Sequence, residues 1–146
     1  LRILGLDLGE RTIGVAVSDA LGWTAQGVTT IARSGKKQDL VELRRLIEQY
    51  QCNKVVLGLP RRTDGSEGPE AERVRKFSRT LAGVFGIPVE LWDERFSTKS
   101  ADQVLIGGDV SRRKRKTVID KLAAVIILQS YLDAHSGDAE GGSGDG

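Results

Sequence analysis

The opening stretch Ile3-Leu4-Gly5-Leu6-Asp7-Leu8-Gly9 is an almost unbroken apolar run, the pattern of a strand buried on both faces. A single carboxylate, Asp7, interrupts it. Gly9 and Gly14 bracket a tight turn through Glu10-Arg11-Thr12, and Ile13 to Asp19 returns as a second strand in the hairpin sense. Past the Ala20-Leu21-Gly22 turn, Trp23 to Ala32 alternates loosely and is rich in Thr and Val, which predicts a third strand. From Lys37 to Tyr50 the period becomes helical, with Leu40, Leu43, Ile47 and Tyr50 on one face. Lys54 to Pro60 is a short continuous apolar run, a buried strand reached through a helical crossover. Arg61 to Pro69 contains Gly65, Gly68 and Asp64 and reads as a loop. Ala71, Val74, Phe77, Leu81 and Val84 mark a helix that stops at Gly86, and Val89 to Asp93 is a further strand. Ser97 or Thr98 can cap a short helix carrying Ala101, Val104 and Leu105 and ending at Gly107-Gly108. Ser111 to Lys116 reads as a charged loop. Val118, Leu122, Val125, Gln129 and Leu132 then mark a last helix that is apolar over much of its circumference. The expected order βββαβαβαα describes an α/β protein with a mixed five-stranded sheet and helices packed on it.

Length and composition narrow this picture. At 146 residues the chain fits one domain, expected over 1–134, followed by a Gly-rich acidic tail without fixed structure over 135–146. With 39% hydrophobic and 29% charged residues the composition is that of a soluble globular protein. No apolar run approaches the ~18 residues of a membrane span, so no membrane partner is expected. The lone Cys52 cannot form an intrachain disulfide and no secretory signal is visible, which together predict a cytoplasmic protein. One Cys and one His leave a zinc site without ligands. The chain lacks Met and opens on Leu1 directly into a strand, so its native start is expected upstream. The net charge is +2, but from Asp133 onward there are four acids and no Lys or Arg, leaving +6 on the rest. A moderately basic domain is compatible with a polyanionic partner.

Asp7 is the first chemical signal. A carboxylate inside a buried strand, left without compensation, would lose several kcal/mol of solvation. A basic partner, turn amides or a bound cation must offset that cost. Two further acids can meet it. Glu94 follows the last strand and Asp120 opens the last helix. If the first, fourth and fifth strands run parallel side by side, their carboxyl ends converge, and the last helix can pack its first turn over the same edge. Three oxygen ligands without His or Cys suit Mg²⁺ or Mn²⁺. Such ions can activate a water against a phosphodiester. Each acid has a structural alternative. Asp7 could be held by turn amides. Asp120 fits a capping box with Thr117. Glu94 could form an ordinary surface pair with Arg95, and Asp93 could replace it as ligand.

Four motifs in order carry a family resemblance. Asp7-x-Gly9 with Ile13-Gly14-Val15-Ala16-Val17-Ser18-Asp19, Gly58-Leu59-Pro60 with Asp64-Gly65, Asp93-Glu94-Arg95 with Thr98 and Ala101, and Asp120-Lys121-Leu122-Ala123-Ala124 with Ile127-Leu128-Gln129 and Tyr131-Leu132 resemble the YqgF/RuvX family. That family is RNase H-like and is described both as Holliday-junction resolvases and as nucleases for pre-ribosomal RNA. The resemblance covers Leu4 to about Asp133. It implies an RNase H-like fold with Asp7, Glu94 and Asp120 as the catalytic, metal-holding acids. One position departs from the pattern: the family usually has a basic residue just before the Ile-Gly pair, and here Thr12 stands there, with Arg11 the nearest substitute.

The basic residues fit the same reading. Arg112-Arg113-Lys114-Arg115-Lys116 is an unbroken cationic run close to Asp120, and Arg61, Arg62 and Arg95 fall at the same expected edge. Beside an acidic site, such residues suit the phosphate backbone of structured DNA or an rRNA precursor. Elsewhere they are a solvated face. Aromatic residues are few, so stacking on unpaired bases is not an obvious mode. The expectation is a metal-dependent nuclease, monomeric or homodimeric, working in ribosome biogenesis or at DNA junctions. Its rivals are a non-catalytic nucleic-acid adaptor on the same fold and an ATP-using sugar-kinase/actin-like domain. The latter needs a second domain, for which this chain is too short.

Overall fold

The structure, a computed structural model, describes residues 2–96 and 112–141, with side chains in the second segment described for 121–135. Five strands, β1 (Arg2–Leu8), β2 (Thr12–Ser18), β3 (Ala25–Ala32), β4 (Cys52–Leu59) and β5 (Val89–Asp93), form one sheet in the order β3-β2-β1-β4-β5. The helices α1 (Lys36–Tyr50) and α2 (Pro69–Phe85) make the two crossovers, and α3 (Arg112–Gly141) closes the described chain. β1, β2 and β3 are antiparallel neighbours, whereas β4 is parallel to β1 and β5 parallel to β4. The expected mixed sheet and the side-by-side β1, β4 and β5 are therefore both present.

Alternation along the strands divides the core in two. Leu4, Leu6, Ile13, Val15, Val55 and Leu57 face α1 and α2, where they meet Leu43, Leu46, Val74, Phe77 and Leu81. Ala16 and Val56 face α3 and meet Ala124, Ile127, Leu128, Tyr131 and Leu132. Each large aliphatic side chain buried this way contributes about 1.5–3 kcal/mol. Of the expected α1 face, Leu43 is fully buried, while Leu40, Ile47 and Tyr50 pack at its margin.

The α3 side works by close approach. A Cβ placed on Gly5 would stand 2.7 Å from Leu128 Cβ, so only glycine lets the helix lie this near β1. Gln129 pins the helix to β3: its Oε1 accepts from the Ala25 amide at 2.9 Å and its Nε2 donates to the Trp23 carbonyl at 3.0 Å.

Three expectations are corrected in this region. Residues 112–116 form the start of α3 rather than a loop. Arg and Lys are good helix formers, and no Gly or Pro lies between Gly108 and Gly137 to stop the helix extending backward. Asp120 consequently lies well inside α3 instead of opening it. The Thr117–Asp120 capping box then has no helix N-terminus to satisfy. At the other end the helix passes the expected boundary at 134/135 and continues to Gly141. His135, assigned to the tail, stacks on Tyr131 with ring centroids 4.1 Å apart. The short helix expected between Ser97 and Gly108 lies outside the described residues.

Candidate active site at the carboxyl edge of the sheet

Because β1, β4 and β5 are parallel, their carboxyl ends share one edge, and acids carried there are brought together without any long loop. β1 delivers Asp7, half-buried and opposite Gly14 of β2. β5 ends at Asp93, in register with Leu59. The chain then tightens into a 3₁₀ turn, Glu94–Phe96. That change of direction separates two neighbouring carboxylates.

Glu94 turns back over β4. Its carboxylate lies above Gly58, where a Cβ would stand 2.7 Å from Glu94 Oε1 and 2.6 Å from Ile127 Cδ1. Gly58 thus makes the floor on which Glu94 reaches β1. There it meets Asp7, close enough for a carboxyl–carboxylate hydrogen bond. Burial first, then the negative charge and hydrogen bond of Asp7, then the charge of Asp93, push the Glu94 carboxyl up to about 8. Two acids facing each other in a half-buried site cannot both ionise cheaply.

Asp93 has the opposite surroundings. It accepts hydrogen bonds from the Arg95 amide at 2.9 Å and from Arg95 Nη2 at 2.8 Å, and Arg61 Nη1 lies 3.6 Å away. The Arg95 guanidinium beside it holds its carboxyl below the usual range. Arg95 therefore pairs with Asp93 and not with Glu94, the surface pair expected as the alternative. Of the two acids, Glu94 is the one placed against Asp7.

Of the basic residues expected to contact nucleic acid, Arg61 also reaches Glu67 at 3.3 Å, which in turn binds Arg75 at 2.7 Å. This ties the loop after β4 to β5 and to α2. Arg11 and Arg62 are exposed, the former in the β1–β2 turn. Residues Arg112, Arg113, Lys114, Arg115, Lys116 and Asp120 lie on the backbone of α3, and their side chains are outside the described set. Among the described residues, no three Asp, Glu, His or Cys side chains cluster for a metal. The described part of the candidate site is the Asp7–Glu94 pair, whose hard oxygen donors suit a divalent cation.

Three features escape sequence reasoning. The role of Gly58 as a floor for Glu94 lies inside a recognised motif but carries no chemistry of its own. Arg33 donates to the Gly9 carbonyl at 2.9 Å and to the buried Asp39 at 3.3 Å, bracing the turn after Asp7. Nothing in the local sequence signals that link. Three of the seven aromatic residues are gathered: Trp92 lies 5.4 Å from Phe96 and 5.5 Å from Tyr131, and Phe96 is 64% exposed.

Comparison with known proteins adds to this geometry. A family model described as "RuvX: Holliday junction resolvase" matches residues 1–134. A relative from Heliobacterium modesticaldum, named "Putative pre-16S rRNA nuclease", is 56% identical over 134 residues, covering 92% of this chain and 90% of its own length. One of the same name from Clostridioides difficile is 58% identical over 132 residues, covering 90% and 94%. Among solved structures, Thermus thermophilus RuvC in complex with a Holliday junction substrate superposes with a TM-score of 0.59 at 12% identity, over 94% of this chain and 96% of that one. The fowlpox virus resolvase bound to Holliday junction DNA gives 0.58 at 16% identity, over 92% and 98%. At such identities these structures speak to the fold, which is the RNase H-like architecture expected from the motifs.

Proposed function

The chain belongs to the RuvX family of Holliday junction resolvases, and from that premise we propose that it is a nuclease whose Asp7, Glu94 and Asp120 hold Mg²⁺ or Mn²⁺ to hydrolyse phosphodiesters in structured nucleic acid. The observation that carries the reading is the Asp7–Glu94 pair at the carboxyl edge of adjacent parallel strands. In a fold stabilised mainly by apolar packing, this contact between two acids is unfavourable unless a proton or a cation lies between them.

Asp7 and Glu94 supply two sets of ligand oxygens. Asp120 would supply the third from α3: residues 120, 124 and 127 share one helix face by period, and Ile127 packs against Gly58 beside Glu94. A divalent cation held by these residues would supply Lewis acidity, acidifying a bound water and offsetting charge on the leaving oxygen. The protein's part is to position. Gly58 sets the height of Glu94, Arg33 braces the turn behind Asp7, and the Arg61–Asp93–Arg95 cluster fixes where the 3₁₀ turn begins. Arg11, Arg62 and the basic start of α3 hold the substrate backbone by its phosphates. Arg61 and Arg95 join them only as far as their pairs with Asp93 allow.

Trimming of a 16S rRNA precursor is the favoured substrate assignment, because relatives more than half identical carry that name. Junction DNA is the second, from the family description. Cutting two strands of a junction would need a symmetric pair of chains. The test is a panel of precursor rRNA, four-way DNA, duplex and single strand, with Mg²⁺ or Mn²⁺ and with EDTA, beside an Asp7→Asn control. Metal-dependent cleavage of precursor rRNA supports the first assignment, and cleavage confined to the four-way DNA the second. Binding without cleavage of any substrate would leave the adaptor reading.

A further inference from the structure

On the sheet face covered by α1 and α2, a cavity of about 340 Å³ opens between the β1–β2 turn, the start of α1 and one side of α2. It is separate from the acid pair. Side chains alternate along β1, so Asp7 and Leu8 point to opposite faces, and Leu8 lines the cavity. Its floor is apolar: Leu8 with Val74 and Phe77, the last two being core residues. Its rim is charged. Arg33, Lys36, Arg73 and Lys76 stand against Glu10 and Glu70.

These charges are not equally committed. Arg33 is held by the Gly9 carbonyl and Asp39. Arg73 approaches Glu10 at 3.8 Å. Among the described residues no ion pair engages Lys36 or Lys76, and both are exposed. An apolar floor that includes an aromatic ring, under a rim with two uncommitted ammonium groups, suits a ligand with a flat apolar part and an anionic end. The volume is sufficient for a base and a sugar. Charge-assisted hydrogen bonds from lysine are a common way to hold a phosphate.

We propose that this cavity binds a nucleoside phosphate, with the base on the Leu8–Val74–Phe77 floor and the phosphate drawn to Lys36 and Lys76. The same chemistry is offered by a free mononucleotide and by the 5′-phosphorylated end of a strand. The site does not rest on the nuclease reading, because none of its residues belongs to the acid set.

The full chain is titrated calorimetrically in EDTA, so that cleavage plays no part, with GMP, inorganic phosphate and guanosine. GMP is expected to bind at least about tenfold more tightly than either part alone. The double variant Lys36→Gln/Lys76→Gln should weaken GMP by about tenfold or more with an unchanged melting temperature, since both side chains are exposed. A 5′-phosphorylated tetranucleotide binding more tightly than its unphosphorylated form makes a strand end the ligand. GMP binding without that difference makes it the free nucleotide. GMP binding no more tightly than phosphate would overturn the proposal, as would a double variant that binds GMP like the unaltered chain.

Discussion

Asp93 and Glu94 are joined by one peptide bond and have opposite fates. Asp93 sits between two guanidinium groups, and its carboxyl titrates below the usual range because Arg95 binds it. Glu94 begins the 3₁₀ turn, crosses Gly58 and faces Asp7, and its carboxyl is pushed up to about 8 by burial and by that second acid. The first arrangement is complete as it stands. The second sets two acids against each other, so that ionising both is costly. Residue type therefore does not separate these two acids. The sign of the neighbours does.

The largest expected effects test the comparison directly. Asp7→Asn and Glu94→Gln should lower metal-dependent cleavage by orders of magnitude while circular dichroism reports an unchanged fold. Asp93→Asn should cost far less, since it loosens the brace but leaves the pair. An Asp93→Asn protein as inactive as Glu94→Gln would break the distinction. Asp120→Asn sharpens it: inside a helix, Asp and Asn differ little in propensity, so stability should move by about 0.5 kcal/mol or less while cleavage falls as for Asp7→Asn. Normal cleavage by that variant would remove Asp120 from the site.

Next in size is the cationic start of α3. Replacing Arg112 to Lys116 with Gln should weaken all nucleic acid substrates to a similar degree. If all five touch phosphate on a duplex, the slope of log K against log salt should shrink by about 4 to 5 units, at ~0.9 per contact. An unchanged slope would place them in solvent, leaving Arg11 and Arg62 as the phosphate contacts to test.

The contrast between the acids also predicts a pH dependence of the metal-free chain. The ordinary value for Glu94 is 4.5, and the folded protein raises it to about 8. Between those values the folded chain keeps a proton that the unfolded chain has lost. The stability Glu94 contributes is thus fully present below pH 4.5 and is lost as pH rises through about 8. In EDTA, denaturant unfolding at pH 5 and pH 9 should show a loss on the order of a few kcal/mol that Glu94→Gln lacks. Equal slopes for the two proteins would mean that the pair does not share a proton.

The smallest effect expected is at the carboxyl end. Removing Ser136 to Gly146 takes away little apolar surface, so the melting temperature should stay nearly unchanged. Removing His135 as well should lower it measurably, because that ring stacks on Tyr131.

The sequence by itself determined the order of the described strands and helices, because period-2 and period-3.6 patterns report which face each element buries. It also marked Asp7, since a carboxylate within a buried apolar run has few structural explanations. It did not determine where α3 begins: a run of Arg and Lys favours helix by propensity but reads as a loop by charge. Nor did it separate Asp93 from Glu94, which are equal in chemistry and adjacent in the chain. Tertiary structure decided which of them faces Asp7. Parallel pairing of β4 and β5 placed Leu59 opposite Asp93, the 3₁₀ turn redirected the following residue, and Gly58 left room beneath it. Arg61, from a loop more than thirty residues earlier in the chain, neutralised one acid and not the other. Such choices depend on distances between residues far apart in sequence, which hydrophobic periodicity does not encode.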